Sequence, residues 1–98
     1  MLTNKQKRFL QKKAHHLKPI FQIGKSGIHD KMIGEIDSAL EARELIKINL
    51  LQNTLEDVND AGLQLAEGTG AELVQIIGGT IILYKESKEN KQIEIPKA

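Results

Sequence analysis

The sequence has 98 residues, of which 40% are hydrophobic and 28% are charged, and this composition favours one globular domain over a disordered chain. Because it contains no cysteine, disulfides and thiolate metal sites are excluded. Its longest apolar runs are too short to span a bilayer, and its first residues lack the apolar segment of a secretory signal. We therefore expect a cytoplasmic protein with no membrane partner.

Charge is divided unevenly along the chain, although the net charge is only +1. Residues 1–29 contain seven bases and no acid, which gives them a charge of +7. Residues 30–98 contain the other seven bases and all thirteen acids, which gives them a charge of −6. This division predicts a surface that binds a polyanion on an otherwise acidic domain. The alternative is a lysine-rich helix face that is merely solvated.

The first predicted element is an amphipathic helix from about Asn4 to His16. Thr3 and Gln6 have the spacing of a capping box at its start. One side of the helix is apolar and consists of Leu10, Ala14 and Leu17. The opposite side is basic and consists of Lys5, Arg8, Lys12, His15 and His16.

Pro19 ends this helix and precedes a short predicted strand, Ile20–Ile23. The loop Gly24-Lys25-Ser26-Gly27 follows and leads into a second helix, Asp30–Ala42, with Asp30 as the expected N-cap. The β-branched segment at residues 44–51 predicts the second strand.

A third helix is expected to begin at an N-cap on Thr54, with Gly68 as its C-terminal stop. Its apolar face would consist of Leu55, Val58, Ala61 and Leu65. Two apolar strands then flank Gly78-Gly79, a pair that suits a hairpin turn in which both positions need a positive φ.

The predicted order is therefore α-β-α-β-α-β-β, an α/β (α+β) domain with a four-stranded mixed sheet packed against three helices. We expect the domain to span residues 1–86 and residues 87–98 to form a loose polar tail. Within that tail, residues 92–95 could add a short edge strand. Nothing in the sequence requires more than a monomer.

The glycine loop is the first candidate site. Glycines at positions 24 and 27 would let the backbone approach an anion closely, and the following helix N-terminus favours phosphate. Lys25 adds a mobile charge at the tip, beside Ser26. The alternative is an ordinary tight turn, since GxxG alone is weak evidence. The spacing of a Walker A loop is missing.

The basic side of the first helix is the second candidate, because its cations can contact successive phosphates. His15 and His16 could add charge, or could simply interact with the dipole at the helix end. Of the three aromatic residues, we expect Phe21 and Tyr84 in the core, whereas Phe9 could stack on one base. We find no catalytic constellation, no metal site and no cofactor motif.

Three stretches in order resemble the CRM domain, the domain of chloroplast RNA splicing and ribosome maturation, in its stand-alone bacterial form. They are LTNKQKRFLQKKAHHLKPIFQIGKSGI, ALEARELIKINLL and AELVQIIGGTIILYK, within about residues 2–85. The resemblance implies a fold similar to the C-terminal domain of translation initiation factor three. It also implies RNA binding through the GxxG loop and the adjoining basic surface, and association with precursors of the large ribosomal subunit.

By this resemblance the loop residues are Gly24, Lys25, Ser26 and Gly27, and the helix supplies Lys5, Arg8 and Lys12. His29 departs from the pattern, because relatives often have a capping threonine there, and this leaves the cap to Asp30. The expected function is non-enzymatic binding of ribosomal RNA during large-subunit assembly. The alternative is a protein-interaction module that docks a basic ribosomal protein on its acidic helices.

Overall fold

The computed structural model describes residues 2–97 and confirms the predicted order of helices and strands. The elements are α1 (Asn4–Ala14), β1 (Phe21–Ile23), α2 (Asp30–Arg43), β2 (Leu45–Leu50), α3 (Val58–Thr69), β3 (Glu72–Ile77) and β4 (Thr80–Tyr84).

The four strands form one mixed sheet, as predicted, and their order in the sheet is β1-β2-β4-β3. β1 and β2 are parallel, with Phe21 opposite Ile48, and β4 is antiparallel to both of its neighbours. β4 lies inside the sheet, and its last four residues are buried on both faces. An almost continuous apolar strand is the pattern expected at such a position.

The sheet separates two apolar cores. On β2, Ile46 and Ile48 pack with α2 and α3, whereas Leu45 packs with α1 on the opposite face. This follows from the two-residue period of a strand. The larger core lies under α2 and α3, and α1 is packed over only part of the other face, with Leu10 and Ala14 fully buried.

The bounds of α1 and β1 differ slightly from the prediction. The capping box at Thr3 and Gln6 is present, but α1 ends at Ala14, with His15 as its C-cap. Leu17 therefore lies beyond the helix and is exposed. β1 begins at Phe21, one residue later than expected.

Both predicted ends of α3 were wrong. Thr54 accepts from the backbone N–H of Glu56 in a preceding turn, and Asp57 is the true N-cap because its carboxylate reaches two amides of the first turn. The helix continues through Gly68 and is capped by Gly70, which has φ 74°. Gly68 instead allows α2 to approach, since an added Cβ would lie 3.1 Å from the side chain of Ile33.

The expected cap of α2 and the expected hairpin geometry also need correction. His29, not Asp30, is the N-cap of α2, and its Nδ1 accepts from the backbone N–H of Met32 at 3.2 Å. In the hairpin only Gly78 has a positive φ. Gly79 allows a close approach instead, because an added Cβ would lie 3.3 Å from the backbone oxygen of Leu50.

The segment after β4 is held against the domain rather than loose. The buried carboxylate of Glu44 accepts from the backbone N–H groups of Ser87, Gln92 and Ile93, at 2.8, 2.6 and 2.8 Å. Ile93 is buried in the core under α1. Within residues 2–97, no strand is formed at 92–95, so the suggested edge strand was wrong.

Candidate nucleic-acid interface

The glycine loop is a closed turn at the end of β1. The backbone N–H of Gly27 donates to the carbonyl of Gly24 at 3.0 Å, which places Lys25 and Ser26 at the exposed tip. Gly27, the last residue of the turn, lies three residues before Asp30, where α2 begins and where the positive end of its helix dipole lies. The tight-turn interpretation and the anion-binding interpretation are therefore compatible, because the turn itself presents the lysine.

The two glycines of the turn have different structural requirements. Gly27 has φ 70°, and an added Cβ would lie 3.0 Å from Oε1 of Glu56. Gly24 has no positive φ, and an added Cβ would meet Leu51 and Asn53 at ordinary distances of 3.5 and 3.7 Å. The fold thus explains a glycine at position 27. It does not require one at position 24.

The connection at residues 51–57 lies beside this turn and was not anticipated from the sequence. Leu51, Asn53 and Glu56 are the residues that approach the two glycines. Leu55, which we expected on the apolar face of α3, precedes the helix and is 98% exposed. A leucine that far in solvent beside the glycine turn has no packing function within the domain.

The basic side of α1 faces a groove of about 620 Å³ between the helix and the open part of the sheet. The groove is lined by Arg8, Gln11, Lys12, His15, His16, Lys47, Gln75, Ile77 and Ile82. Four of the five predicted basic-side residues are thus brought together. None of the thirteen acids lines the groove, so its potential is set by cations and by neutral amides.

Lys5 lies outside the groove, in a smaller hollow of about 360 Å³ beside the N-terminal part of α1. Arg8 and Lys12 line both spaces and connect them. Phe9 is partly buried against the core under α1, and Lys13 Nζ lies 5.3 Å from its ring centroid. Phe9 therefore already makes contacts within the domain, with the core and with Lys13.

The predicted core positions of Phe21 and Tyr84 are confirmed, since both pack in the apolar cores. Burial, together with the charges of Glu44 and Glu86, raises the pKa of Tyr84 to about 12. Its phenol is therefore neutral across the physiological range.

Lys47 and Gln75 were missed by the sequence analysis, yet both line the groove. Lys47 pairs with Ile82 on β4, and Ile82 pairs with Gln75 on β3, so the three side chains form one row across the sheet. The available signal was the alternation in β2. Leu45 packs under α1, so Lys47 and Asn49 follow on the same face.

A second polar row lies between this groove and the glycine turn. It consists of Gln22, Asn49 and Thr80, which are paired in register across β1, β2 and β4, and Thr80 in turn pairs with Ile77 of the groove. The Thr80 hydroxyl donates to Asn49 Oδ1 at 2.8 Å, which fixes the orientation of that amide. From Lys47 to Leu51, beside the turn, β2 advances by about 13 Å. The loop and the groove are therefore separated, but one face of the sheet connects them.

Two acidic side chains on α2, Asp37 and Glu41, contact Lys85 and the segment that follows it. Lys85 Nζ lies 2.8 Å from Asp37 Oδ1. Glu41 accepts from the backbone N–H of Lys88, the Ser87 hydroxyl and the backbone N–H of Glu89, and these bonds hold the pKa of its carboxyl below the ordinary value. Much of the acidic surface thus has an internal structural function.

Residues 2–97 contain neither a cluster of metal ligands nor a membrane-spanning helix. In this range, no three His, Asp or Glu side chains form a group that could hold a metal ion. None of the three helices there has the length and apolarity needed to cross a membrane.

Residues 2–85 match the family model of the CRS1/YhbY (CRM) domain. The chain belongs to the CRM domain family. The match covers every helix and strand of the CRM domain described above and ends one residue after β4.

Proteins similar to this chain, one of them with a solved structure, are described as RNA-binding. "Probable RNA-binding protein YqeI" of Bacillus subtilis is 66% identical over 96 residues, covering 98% of this chain and 100% of that protein. An "RNA-binding protein" of Haemophilus influenzae is 36% identical over 96 residues, covering 98% of this chain and 96% of that protein. The solution structure of SAV1595 from Staphylococcus aureus, described as a candidate RNA-binding protein, superposes with a TM-score of 0.81 at 56% identity, covering 98% of this chain and 100% of that one.

Proposed function

We propose that this CRM domain is a non-catalytic RNA-binding protein of the cytoplasm that binds ribosomal RNA, in precursors of the large ribosomal subunit, during assembly. The observation that supports this most directly is the acid-free groove, in which Arg8 and Lys12 face Lys47 across the open sheet. The names of the relatives support RNA as the partner class. The ribosomal destination rests on the family resemblance of the sequence.

In this proposal the cations make sequence-independent contacts with phosphates, and they hold the domain in register on folded RNA. Arg8 and Lys12 are one turn apart on α1, so their charges lie roughly 6 Å apart along the helix axis. His15 and His16 extend the same side at the end of the helix, and Lys5 extends it at the start.

The glycine turn supplies a second contact about 13 Å along the sheet. Lys25 and Ser26 at its tip are exposed and can reach a phosphate. The absence of a side chain at Gly24, which the fold itself does not require, leaves room for the RNA backbone to approach the turn.

The alternative function, docking of a basic ribosomal protein on acidic helices, has less support from the geometry. Asp37 is paired with Lys85, and Glu41 binds the C-terminal segment. Other exposed acids are divided between the two helices, with Asp30 and Glu35 on α2 and Asp60 and Glu67 on α3. The charge reversal Glu35→Lys should therefore leave ribosomal binding unchanged.

The test is binding of a structured fragment of large-subunit ribosomal RNA across a salt series. We expect a log–log slope equivalent to several phosphates, and Lys12→Ala and Lys25→Ala should each lower its magnitude by about 0.7 to 0.9. Lys88→Ala is the matched control, because Lys88 is exposed beside Asp37 and Glu41, away from the groove, and should leave the slope unchanged. Absence of binding at low salt would overturn the proposal.

The ribosomal part is tested separately by sedimentation. The tagged protein should co-migrate with precursors of the large subunit, and Lys12→Ala combined with Lys25→Ala should release it. Co-migration with mature ribosomes alone, or with neither particle, would contradict a function in assembly.

A further inference from the structure

We infer that the groove between α1 and the sheet seats one unpaired nucleotide base, so that the preferred RNA element is a stem interrupted by a bulged or looped-out nucleotide. This inference rests on the proposed function and specifies its target. The supporting observation is the apolar floor of the groove, because a site that bound only phosphates would need cations and no such floor.

The floor contains one apolar side chain that α1 leaves open. Ile77 is 56% exposed at the end of β3, whereas Ile82, which also lines the groove on β4, is only 2% exposed. The flat face of a base is apolar and can pack on an exposed aliphatic side chain such as Ile77. In a duplex the base faces are stacked on one another, so only a base that has left the stack can reach this floor.

The walls of the groove add groups that suit the edge of a base. Gln11 on α1 and Gln75 on β3 both line the groove, and each carboxamide offers donors and an acceptor. Two other glutamines of the domain have structural partners instead, since Gln6 donates to the carbonyl of Pro96 and Gln92 to that of Ala42. The groove therefore combines an apolar floor with polar groups that can bind a base.

The rim of the groove indicates that the base belongs to a polymer. Arg8 and Lys12 lie on one side and Lys47 on the other, so cations are placed on both sides of a seated base. The polar row of Gln22, Asn49 and Thr80 continues from the groove toward the glycine turn. A free mononucleotide would use the groove alone, whereas an RNA strand would also use this continuation.

The experiment compares two RNA hairpins with the same stem, one fully paired and one with a single bulged 2-aminopurine. The full-length protein should bind the bulged hairpin at least about fivefold more tightly, because a seated base would bury the exposed part of the Ile77 side chain. The fluorescence of the 2-aminopurine should change on binding.

Ile77→Ser should reduce the preference for the bulged hairpin to less than about twofold, while affinity for the paired hairpin and its salt slope stay unchanged. Leu63→Ser is the matched control, because Leu63 is 54% exposed on α3, which packs on the opposite face of the sheet, and it should keep the full preference. Gln75→Ala is a second variant, with circular dichroism to verify that each protein is folded.

The outcomes separate this inference from the proposed function. Equal, salt-dependent binding of both hairpins by the wild-type protein would overturn the base site and leave RNA binding intact. Displacement of the bulged hairpin by millimolar AMP or UMP, with no effect of Lys25→Ala, would overturn it in favour of a mononucleotide site. Binding of neither hairpin at low salt would overturn the proposed function as well.

Discussion

Gly24 and Gly27 are joined by one hydrogen bond, from the backbone N–H of Gly27 to the carbonyl of Gly24 at 3.0 Å, yet only one of them must be glycine for the fold. Gly27 has φ 70° and lies against Glu56, whereas Gly24 has room for a methyl group. The pair therefore separates a requirement of folding from a requirement of binding, which the GxxG pattern alone could not do.

The first prediction uses this difference. Gly24→Ala should change the free energy of unfolding by less than about 1 kcal/mol, because its backbone conformation is open to alanine. The added methyl group should nevertheless lower RNA affinity about tenfold, a loss of about 1.4 kcal/mol, by keeping the RNA backbone away from the turn. Urea unfolding and filter binding measure the two effects, and wild-type affinity in Gly24→Ala would remove this turn from the interface.

Gly27→Ala is the comparison variant. Its positive φ should cost about 1–2 kcal/mol of stability in any residue that has a Cβ. A loss of RNA binding in this variant would therefore not by itself identify a contact.

The second prediction concerns the cap of α2. His29 Nδ1 accepts from the backbone N–H of Met32, so His29→Ala should lower stability by about 1 kcal/mol. His29→Thr should preserve stability, because a threonine hydroxyl caps in the same way. Thermal unfolding of the two variants decides the point. Equal melting temperatures for the wild-type protein and His29→Ala would show that the imidazole contributes nothing as a cap.

Much of this fold follows from local patterns. The capping box at Thr3, the helical spacing of Ile36 and Leu40 and the glycine pair at the hairpin each depend on residues a few positions apart. The prediction of Thr54 as the N-cap of α3 was wrong, because Asp57 also has a capping side chain and the choice between them depends on how the preceding connection packs. Sequence alone could not make that choice.

The site was predictable in part for the same reason. The basic side of α1 follows from the helical period, which identified Arg8 and Lys12. Lys47 and Gln75 reach the groove only because β4 places β2 and β3 on either side of it, and that order is set by long-range strand pairing. The function of Glu44 was hidden too, since its hydrogen-bond partners lie 43 to 49 residues away.

The third prediction concerns the C-terminal segment as a support for α1. Ile93 packs in the same core as Leu10 and Ala14, and Gln6 Nε2 donates to the carbonyl of Pro96 at 3.0 Å. Ile93→Ala should lower stability by about 2 kcal/mol, at the low end for buried isoleucine because Ile93 lies at the edge of the core.

Hydrogen exchange separates a local effect of Ile93→Ala from a global one. Protection should fall most in α1 and least in α2, because α2 packs in the other core. Ile95→Ala is a milder companion variant, since Ile95 is only partly buried against the same core. A uniform loss of protection across all three helices would contradict a specific link between the C-terminal segment and the basic helix.

The fourth prediction follows from the titration of Glu44. Its burial acts to raise the pKa, but the backbone N–H groups of Ser87, Gln92 and Ile93 outweigh this and hold the pKa below its ordinary value of 4.5. A carboxyl whose pKa is lower in the folded protein stabilises the fold above the pKa of the unfolded chain. That stability is lost as the pH falls below 4.5 and through the lower, folded-state pKa.

Glu44→Gln should therefore lower the free energy of unfolding at pH 7 by about 2 kcal/mol, since it removes a charge that accepts several hydrogen bonds. The difference from wild type should shrink as the pH falls below 4.5 and through the lower, folded-state pKa, because protonation removes the same charge from the wild-type protein. Glu35→Gln, an exposed carboxylate on the same helix, is the control and should show little difference at any pH. Glu44 has φ 67°, at which a residue with a Cβ is strained, and the hydrogen bonds of its carboxylate then explain why a glutamate occupies this position. A difference between Glu44→Gln and wild type that stays constant from pH 7 down to the pH at which acid unfolds the wild-type protein would show that shape, and not charge, holds the C-terminal segment in place.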